Sequence, residues 1–331
     1  MDFFKRLKNP IMYQGVNKKS DYFEGWYFKN VSAHSERIIA FIPGIALSDD
    51  ENESHAFIQF FNGKEMDYRY FEYPLDNFDY SKDKFNVSVG QSNFSLSEVH
   101  LDIEEDDFSL KGDLLYENLA PLPKKFMNPN IMGFFTYIPF MQAKHGIGSM
   151  NHKIRGTLKL NDRKFDFSGG KGYIEKDYGS SFPSSYVWMQ SNHFETDDAS
   201  FMLSVATIPL LGLNFLGYLS AFYLNGKFYR FATYTRSEFK AFSKEENRVM
   251  MTVADQKHKI VIDAQKKDAV AMKSPDTGRM SSHIYESLTS TIHIKFYEKK
   301  GGSWELLFDE TGENSGLEIM DEKDEIASQF I

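Results

Sequence analysis

The chain has 331 residues, with 47 acidic against 38 basic side chains, a net charge of −9. With no long basic run, a nucleic-acid partner is not expected; with no cysteine, disulfides, thiolate nucleophiles and Cys-based metal sites are excluded. Hydrophobic residues make up 41%, enough to bury a core, and 31 Phe with 18 Tyr favour β structure, because aromatic rings suit a pleated, half-buried surface.

The N-terminus, MDFFKRLKNP, lacks the apolar core and small-residue cleavage site of a signal peptide. The absence of cysteine fits a reducing compartment, so a cytoplasmic location is expected, with or without membrane association. From EGWYFKN (24–30) onward, short β-rich runs alternate with turn residues: RIIAFIPGI (37–45), HAFIQFFN (55–62) and DFSLKGDLLY (107–116) come first. The segment 117–150 then breaks the pattern. It is rich in Pro, Met and aromatic residues and carries Lys124, Lys125 and Lys144. It could be a lid, a loop touching a membrane through 126–141, or packing between domains; packing is the plainest choice, since apolar loops are usually covered.

The β pattern resumes with KIRGTLKL (153–160), YVWMQSNHF (186–194) and STIHIKFYE (290–298). Between them, 200–224 is apolar and long enough to span a membrane. Pro209, Gly212, Asn214 and Gly217 interrupt it, so two buried strands joined by a loop are expected.

The runs form two similar sets. Trp26 is followed by Asn30, and Trp188 by Asn192, at the same spacing; NGK begins at Asn62 and again at Asn225, each time opening an aromatic strand. IRGTLKL…SGGKGYIE resembles STIHIKF…ENSGLEI, which matches Gly172–Glu175 with Gly316–Ile319. A repeat of this size is a duplicated domain rather than a solenoid unit. The expected fold is mainly β: two tandem lipocalin-like antiparallel β-barrels, or curved half-barrels. The first covers 1–178, with the insertion at 117–150, and the second 179–331. Closure would remove exposed strand edges. By analogy with lipocalin-type barrels, Gly25-Trp26-Tyr27 would plug one end.

Several familiar chemistries are missing. No Gly-Lys is followed by the Ser/Thr of a P-loop, no dinucleotide fingerprint or nucleophile elbow occurs, and no HExxH is present. His145 and His152 could meet in space, but their spacing is not that of a metal site, so no metal and no cofactor are expected. The dense polar region is 169–194. Along a strand, side chains alternate in direction. Tyr173, Glu175 and Asp177 therefore share one face, and Ile174, Lys176 and Tyr178 the other. Tyr186, Trp188, Gln190 and Asn192 share a face; so do Glu24, Trp26, Phe28 and Asn30, opposite Tyr27 and Lys29. The bland reading is a satisfied polar network at a barrel seam, with Glu175 or Asp177 paired to Lys176 or Lys29.

At YFEGWYFK (22–29), FFTYIPFMQAKHGIGSMNHKIRGTL (134–158), GYIEKDYGSSFPSSYVWMQSN (172–192) and NGKFY (225–229), the chain resembles the tocopherol cyclase family. The likeness is spread over roughly residues 20–320. In that family EKD is typically followed by Trp-Gly and the later aromatic is often Trp; Tyr178 and Tyr186 stand there here. The resemblance implies an enzyme closing a chromanol ring on a prenylated hydroquinol, akin to carotenoid hydratases. Such chemistry needs a carboxylic acid to protonate an alkene, with Glu175 and Asp177 as candidates. Electron-rich rings would stabilise the cation, with Trp188, Tyr186, Trp26 and Tyr173 available. A polar group must orient the phenol, from Gln190, Asn192 or His152. In the same motifs Lys176 joins the catalytic set, and Glu24, Tyr27, Lys29, His145, Asn151 and Tyr178 the substrate-binding set. The expected partner is a hydrophobic small molecule, a prenylated quinol or similar lipid. The alternative is a non-catalytic binder or carrier of such a ligand, since fold alone does not fix function.

Overall fold

A computed structural model of the chain describes residues 2–139, 141–210 and 213–330. The chain divides into two compact units, Met1–Phe182 with Met272–His283, and Pro183–Ala271 with Ile284–Ile331.

After a short helix, α1 (Asp2–Leu7), the first unit is built from β1 (Tyr22–Val31), β2 (Ile38–Leu47), β3 (His55–Asn62), β4 (Asp67–Tyr73), β5 (Phe78–Tyr80), β6 (Asn86–Val89), β7 (Ser92–Ser95), β8 (Glu98–Glu105), β9 (Phe108–Glu117), β10 (Ala143–Leu160), β11 (Arg163–Asp166) and β12 (Lys171–Gly179). They form one antiparallel sheet in the order β4-β3-β2-β1-β12-β10-β9-β8-β7-β6-β5, with β11 beside β10. The second sheet uses β13 (Tyr186–Ser191), β14 (Ala199–Leu210), β15 (Leu213–Leu224), β16 (Lys227–Ala232), β17 (Glu238–Glu245), β18 (Arg248–Ala254), β19 (His258–Gln265), β20 (Val270–Asp276), β21 (Arg279–Lys300) and β22 (Ser303–Met320). Its order is β16-β15-β14-β13-β22-β21-β19-β18-β17, with β20 beside β21.

The two orders run in parallel from β4 to β8 and from β16 to β18, which is the duplication written in hydrogen bonds. Both NGK turns sit at equivalent places, between β3 and β4 and between β15 and β16. The faces, however, do not match. Trp26 and Phe28 join the first core, whereas Val187 and Met189 join the second and Trp188 lies between them on the opposite face. The motif match of Trp26 with Trp188 therefore pairs residues of opposite faces. Glu175 and Ile319 differ in the same way, because a one-residue offset flips a whole strand.

Among the described residues neither sheet closes into a barrel. The edge strands β4 and β5, like β16 and β17, remain unpaired to each other. The edges are protected instead by brevity and charge. β5 has three residues, and β4 carries Asp67, Arg69 and Glu72. No helix among the described residues is long and apolar enough to cross a membrane. The segment 200–224 forms the paired strands β14 and β15; Leu211 and Gly212 lie outside the described residues.

The first core fills one face of its sheet with residues such as Phe28, Phe41, Phe94 and Ile174. The central strands β1, β2 and β3 are buried on both faces. On the second face, Met280 packs with Ala46 and Phe57, and Arg279 pairs with Asp49 and, at 2.9 Å, with Glu53. Gly278 makes this fit possible. Its φ is +77°, and a side chain there would come within 2.3 Å of the Leu47 carbonyl.

Candidate active site

β1, β12 and β10 lie side by side, and their registers sort the polar residues. Trp26 faces Lys176, Glu24 faces Tyr178, and Phe28 faces Ile174 across β1 and β12. These side chains share the core face. Tyr27 faces Glu175, Gly25 faces Asp177, and Lys29 faces Tyr173; these share the other face. On β10, His145 faces Asp177 and Ile147 faces Glu175.

On the core face, Lys176 and Glu24 form a fully buried ion pair. The segment 10–15 folds over it. Lys176 Nζ donates to the carbonyls of Pro10 (2.8 Å) and Met12 (2.6 Å). Glu24 accepts from the backbone of Gln14 (2.9 Å) and Gly15 (3.0 Å), and from the hydroxyl of Tyr22. Trp26 Nε1 donates to the Ile11 carbonyl at 2.7 Å, and the Lys176 ammonium lies 4.5 Å from the Tyr178 ring centre. Burial pulls Lys176 down to about 8, against the opposing charge of Glu24; burial likewise raises Glu24, against Lys176. This is the satisfied network of the bland reading, with Glu24 rather than an EKD acid as the partner.

On the other face stands a chain of four titratable groups. Tyr173 donates its hydroxyl to Glu175 Oε2 at 2.5 Å. His145 Nε2 lies 3.2 Å from the same oxygen, and its Nδ1 lies 2.7 Å from Asp177 Oδ1. Tyr173, Glu175 and His145 are buried, while the Asp177 side chain keeps 28% of its surface exposed. Asp177 is therefore the end of the chain that opens to solvent. Burial works to lower the His145 pKa, but Asp177 and then Glu175 overcome it and hold the imidazole well above 6.5. Burial, reinforced by Glu175, raises the Tyr173 phenol well above 10. The two carboxylates thus favour the charged form of His145. One atom from each of His145, Glu175 and Asp177 falls within 4.8 Å of the others, so among the described residues this trio could hold a cation.

The other sequence candidates are spread more widely. Lys176, Glu24, Trp26 and Tyr178 belong to the core-face network just described. Tyr27 and Lys29 are buried beside the acids, on their face. His152 lies on the core face over Gly172, its ring 4.4 Å from Tyr116. Two register shifts in β10 separate it from His145, so the two histidines do not converge. Asn151 is buried beside it, its carbonyl accepting from Ser149 Oγ. Tyr186, Trp188, Gln190 and Asn192 belong to the second unit. There Tyr186 donates to Glu318 at 2.5 Å, and Asn192 Oδ1 contacts His193 Nδ1 at 2.8 Å.

Two supporting features were not anticipated. The segment 10–15 closes the Glu24–Lys176 pair; its signal was the apolar run IMY ahead of the first strand. Asn130 and Met132, from the 117–150 insertion, brace β10 at the site. Asn130 exchanges hydrogen bonds with the backbone of Ile147, and the His145 N–H points to Met132 Sδ at 3.0 Å.

The sequence profile of a family described as tocopherol cyclase-like matches residues 124–320, which include β10 and β12. A rice protein (Oryza sativa subsp. japonica) named as a probable chloroplastic tocopherol cyclase is 22% identical over 202 residues. That match takes in 56% of this chain and 41% of the rice protein, so the chain spans about two fifths of that relative. Among solved structures, CghA with Sch210972 shares the fold with a TM-score of 0.53 at 10% identity, over 91% of this chain and 89% of CghA. Kievitone hydratase from Nectria haematococca superposes with a TM-score of 0.46 at 10% identity, over 94% of each chain.

Proposed function

The chain belongs to the tocopherol cyclase-like family, and on that premise we propose that it is an acid-catalysed cyclase of a prenylated quinol or related isoprenoid lipid. The reading rests on one observation: a buried His145 held between Glu175 and Asp177, with Asp177 partly open.

In this reading Asp177 hands a proton to the CH carbon of the prenyl double bond nearest the aromatic ring. The alkene π pair forms the new C–H bond and leaves a tertiary cation. The phenolic oxygen of the same substrate then forms the C–O bond. Its hydroxyl proton returns to the His145–Asp177 pair, so the reaction is a net isomerisation and needs no cofactor. Glu175 keeps the imidazole charged, and Tyr173 fixes Glu175. Water must be kept from the cation, or hydration replaces cyclisation.

The test compares Asp177→Asn and Glu175→Gln with the parent protein on a prenylated hydroquinol. A drop of at least about a hundredfold is expected for Asp177→Asn, the size typical of losing a general acid. Unchanged turnover in both variants removes the acid assignment. Tight binding of the quinol without turnover by the parent protein identifies it as a carrier.

A further inference from the structure

Two acid-free stretches of this acidic chain meet at one place. Residues 3–20 and 118–144 contain eight Lys and Arg and no Asp or Glu, against a net charge of −9 for the whole chain. The structure brings them together. The ammonium of Lys8 lies 5.7 Å from the ring centre of Phe126, and Lys124 donates to the Asn9 side chain at 2.6 Å. Tyr137 donates to the Phe126 carbonyl at 2.6 Å, which ties the two apolar tips of the insertion together, and Lys144 of β10 donates to the Thr136 carbonyl at 3.0 Å. Among the described residues, none of Lys8, Lys18, Lys19, Lys124, Lys125 and Lys144 has a carboxylate at ion-pair distance; Lys5 does, in Asp83.

At this place three apolar side chains stay exposed, while Leu122, Ile131 and Met132 of the same insertion are buried. Phe126 is 74% exposed and Met127 59%, the two highest values among the large hydrophobic residues described, and Phe134 of the same insertion is 41% exposed. Exposed aromatic and thioether groups, in a segment whose lysines have no carboxylate partner, have the composition of an interfacial anchor. The apolar groups enter the acyl boundary while the ammonium groups meet anionic headgroups. Three apolar side chains are far fewer than the roughly 20 residues a side of a stable protein interface. We propose that the tips at 126–127 and 134–137, with Lys8, Lys124 and Lys125, form a docking surface for an anionic lipid bilayer. Phe140, within the 126–141 stretch singled out from the sequence, lies outside the described residues.

The loop is rooted at the site through Asn130 and Met132, which hold Ile147 and His145. If the cyclase reading holds, this places the catalytic acids next to the lipid phase that would carry the substrate. The docking itself does not depend on that reading.

The experiment is co-sedimentation of the full chain with vesicles of phosphatidylcholine, with and without phosphatidylglycerol, at low and high salt. Binding to the anionic vesicles is expected, weakened by salt. Lys124→Glu with Lys125→Glu should lower it by more than tenfold, since each lysine near the surface contributes roughly fivefold. Phe126→Ser with Met127→Ser should also release the protein, with an unchanged melting temperature. No vesicle binding by the parent protein, equal binding to neutral vesicles, or binding unaffected by both double variants overturns the proposal. A change of oligomeric state in the Phe126/Met127 variant, seen by light scattering, also overturns it and identifies a second copy as the occupant. Turnover of a detergent-dispersed quinol tests the cyclase separately, so either idea can fail alone.

Discussion

The imidazole Nδ1 of His145 lies 2.7 Å from Oδ1 of Asp177, its cross-strand neighbour on β12. That contact adds a base to two acids that the strand's alternation already places on one face. The lysine between them, Lys176, points the other way and is held by Glu24. Three consecutive residues, Glu175-Lys176-Asp177, thus serve two faces with two tasks. The middle one closes the core, and the outer two form the candidate site.

The first prediction concerns the charge on His145. A histidine with a raised folded-state pKa stabilises the fold fully below its unfolded value of about 6.5, and that contribution is lost as pH rises through the raised value. Asp177→Asn removes the stronger of the two carboxylate influences, and burial should then win. Imidazole chemical shifts followed by NMR should show His145 titrating well above 6.5 in the parent and distinctly lower in the variant. Equal midpoints would show that Asp177 does not hold the proton on the ring.

The second prediction separates positioning from proton delivery. His145→Gln keeps a hydrogen-bonding group near Asp177 but cannot carry the proton. Turnover of a prenylated hydroquinol should fall by about two orders of magnitude, with a changed pH profile. The KM should change little, because in the proposed reaction the substrate meets Asp177 rather than the buried imidazole. A variant with raised KM and unchanged kcat would mean that His145 only shapes the binding surface.

Part of this arrangement was legible in the sequence. Strict alternation in GYIEKDY puts Glu175 with Asp177 and against Lys176, and the structure keeps that division. The repeat was legible through its NGK turns, which are local chemistry. The partners across strands were not. Which side chain faces Lys176 is fixed by the register of β12 on β1, set by pairing between segments almost 150 residues apart. The irregularities in β10 that keep His152 from His145 leave no mark in HGIGSMNH beyond its small residues. The Trp26–Trp188 match misled for the same reason, since identical spacing cannot say which face a strand turns to the core. Closure into barrels failed because edge protection has other solutions, and β4 and β5 use charge and brevity.

The third prediction addresses the Glu24–Lys176 pair. Removing one partner of a buried ion pair leaves an uncompensated charge and costs about 3–5 kcal/mol, whereas removing both often costs far less. Lys176→Met should therefore destabilise the protein strongly in urea titrations. Adding Glu24→Gln to it should recover much of the loss, because the amide oxygen can still accept from the backbone of Gln14 and Gly15. A double variant less stable than either single one would show that the pair contributes through more than its charge balance.

The fourth prediction uses His152. Its two ring nitrogens find no hydrogen-bond partner among the described residues, and burial lowers its pKa to about 3. The folded protein therefore keeps this ring neutral in mild acid, while the unfolded chain protonates it below about 6.5. A depressed folded-state value means that stability is intact above 6.5 and is lost as pH falls toward 3. The slope is about 1.4 kcal/mol per pH unit, so roughly 2 kcal/mol disappears between pH 7 and pH 5 from this group alone. His152→Leu fills similar space against Tyr116 without a titrating nitrogen, and should lose about that much less over the same interval. Unfolding free energies of the two proteins at the two pH values measure the difference directly. Parallel losses in both would mean that water or a shifted ring supplies His152 with a partner, and that its proton uptake does not distinguish the folded from the unfolded state.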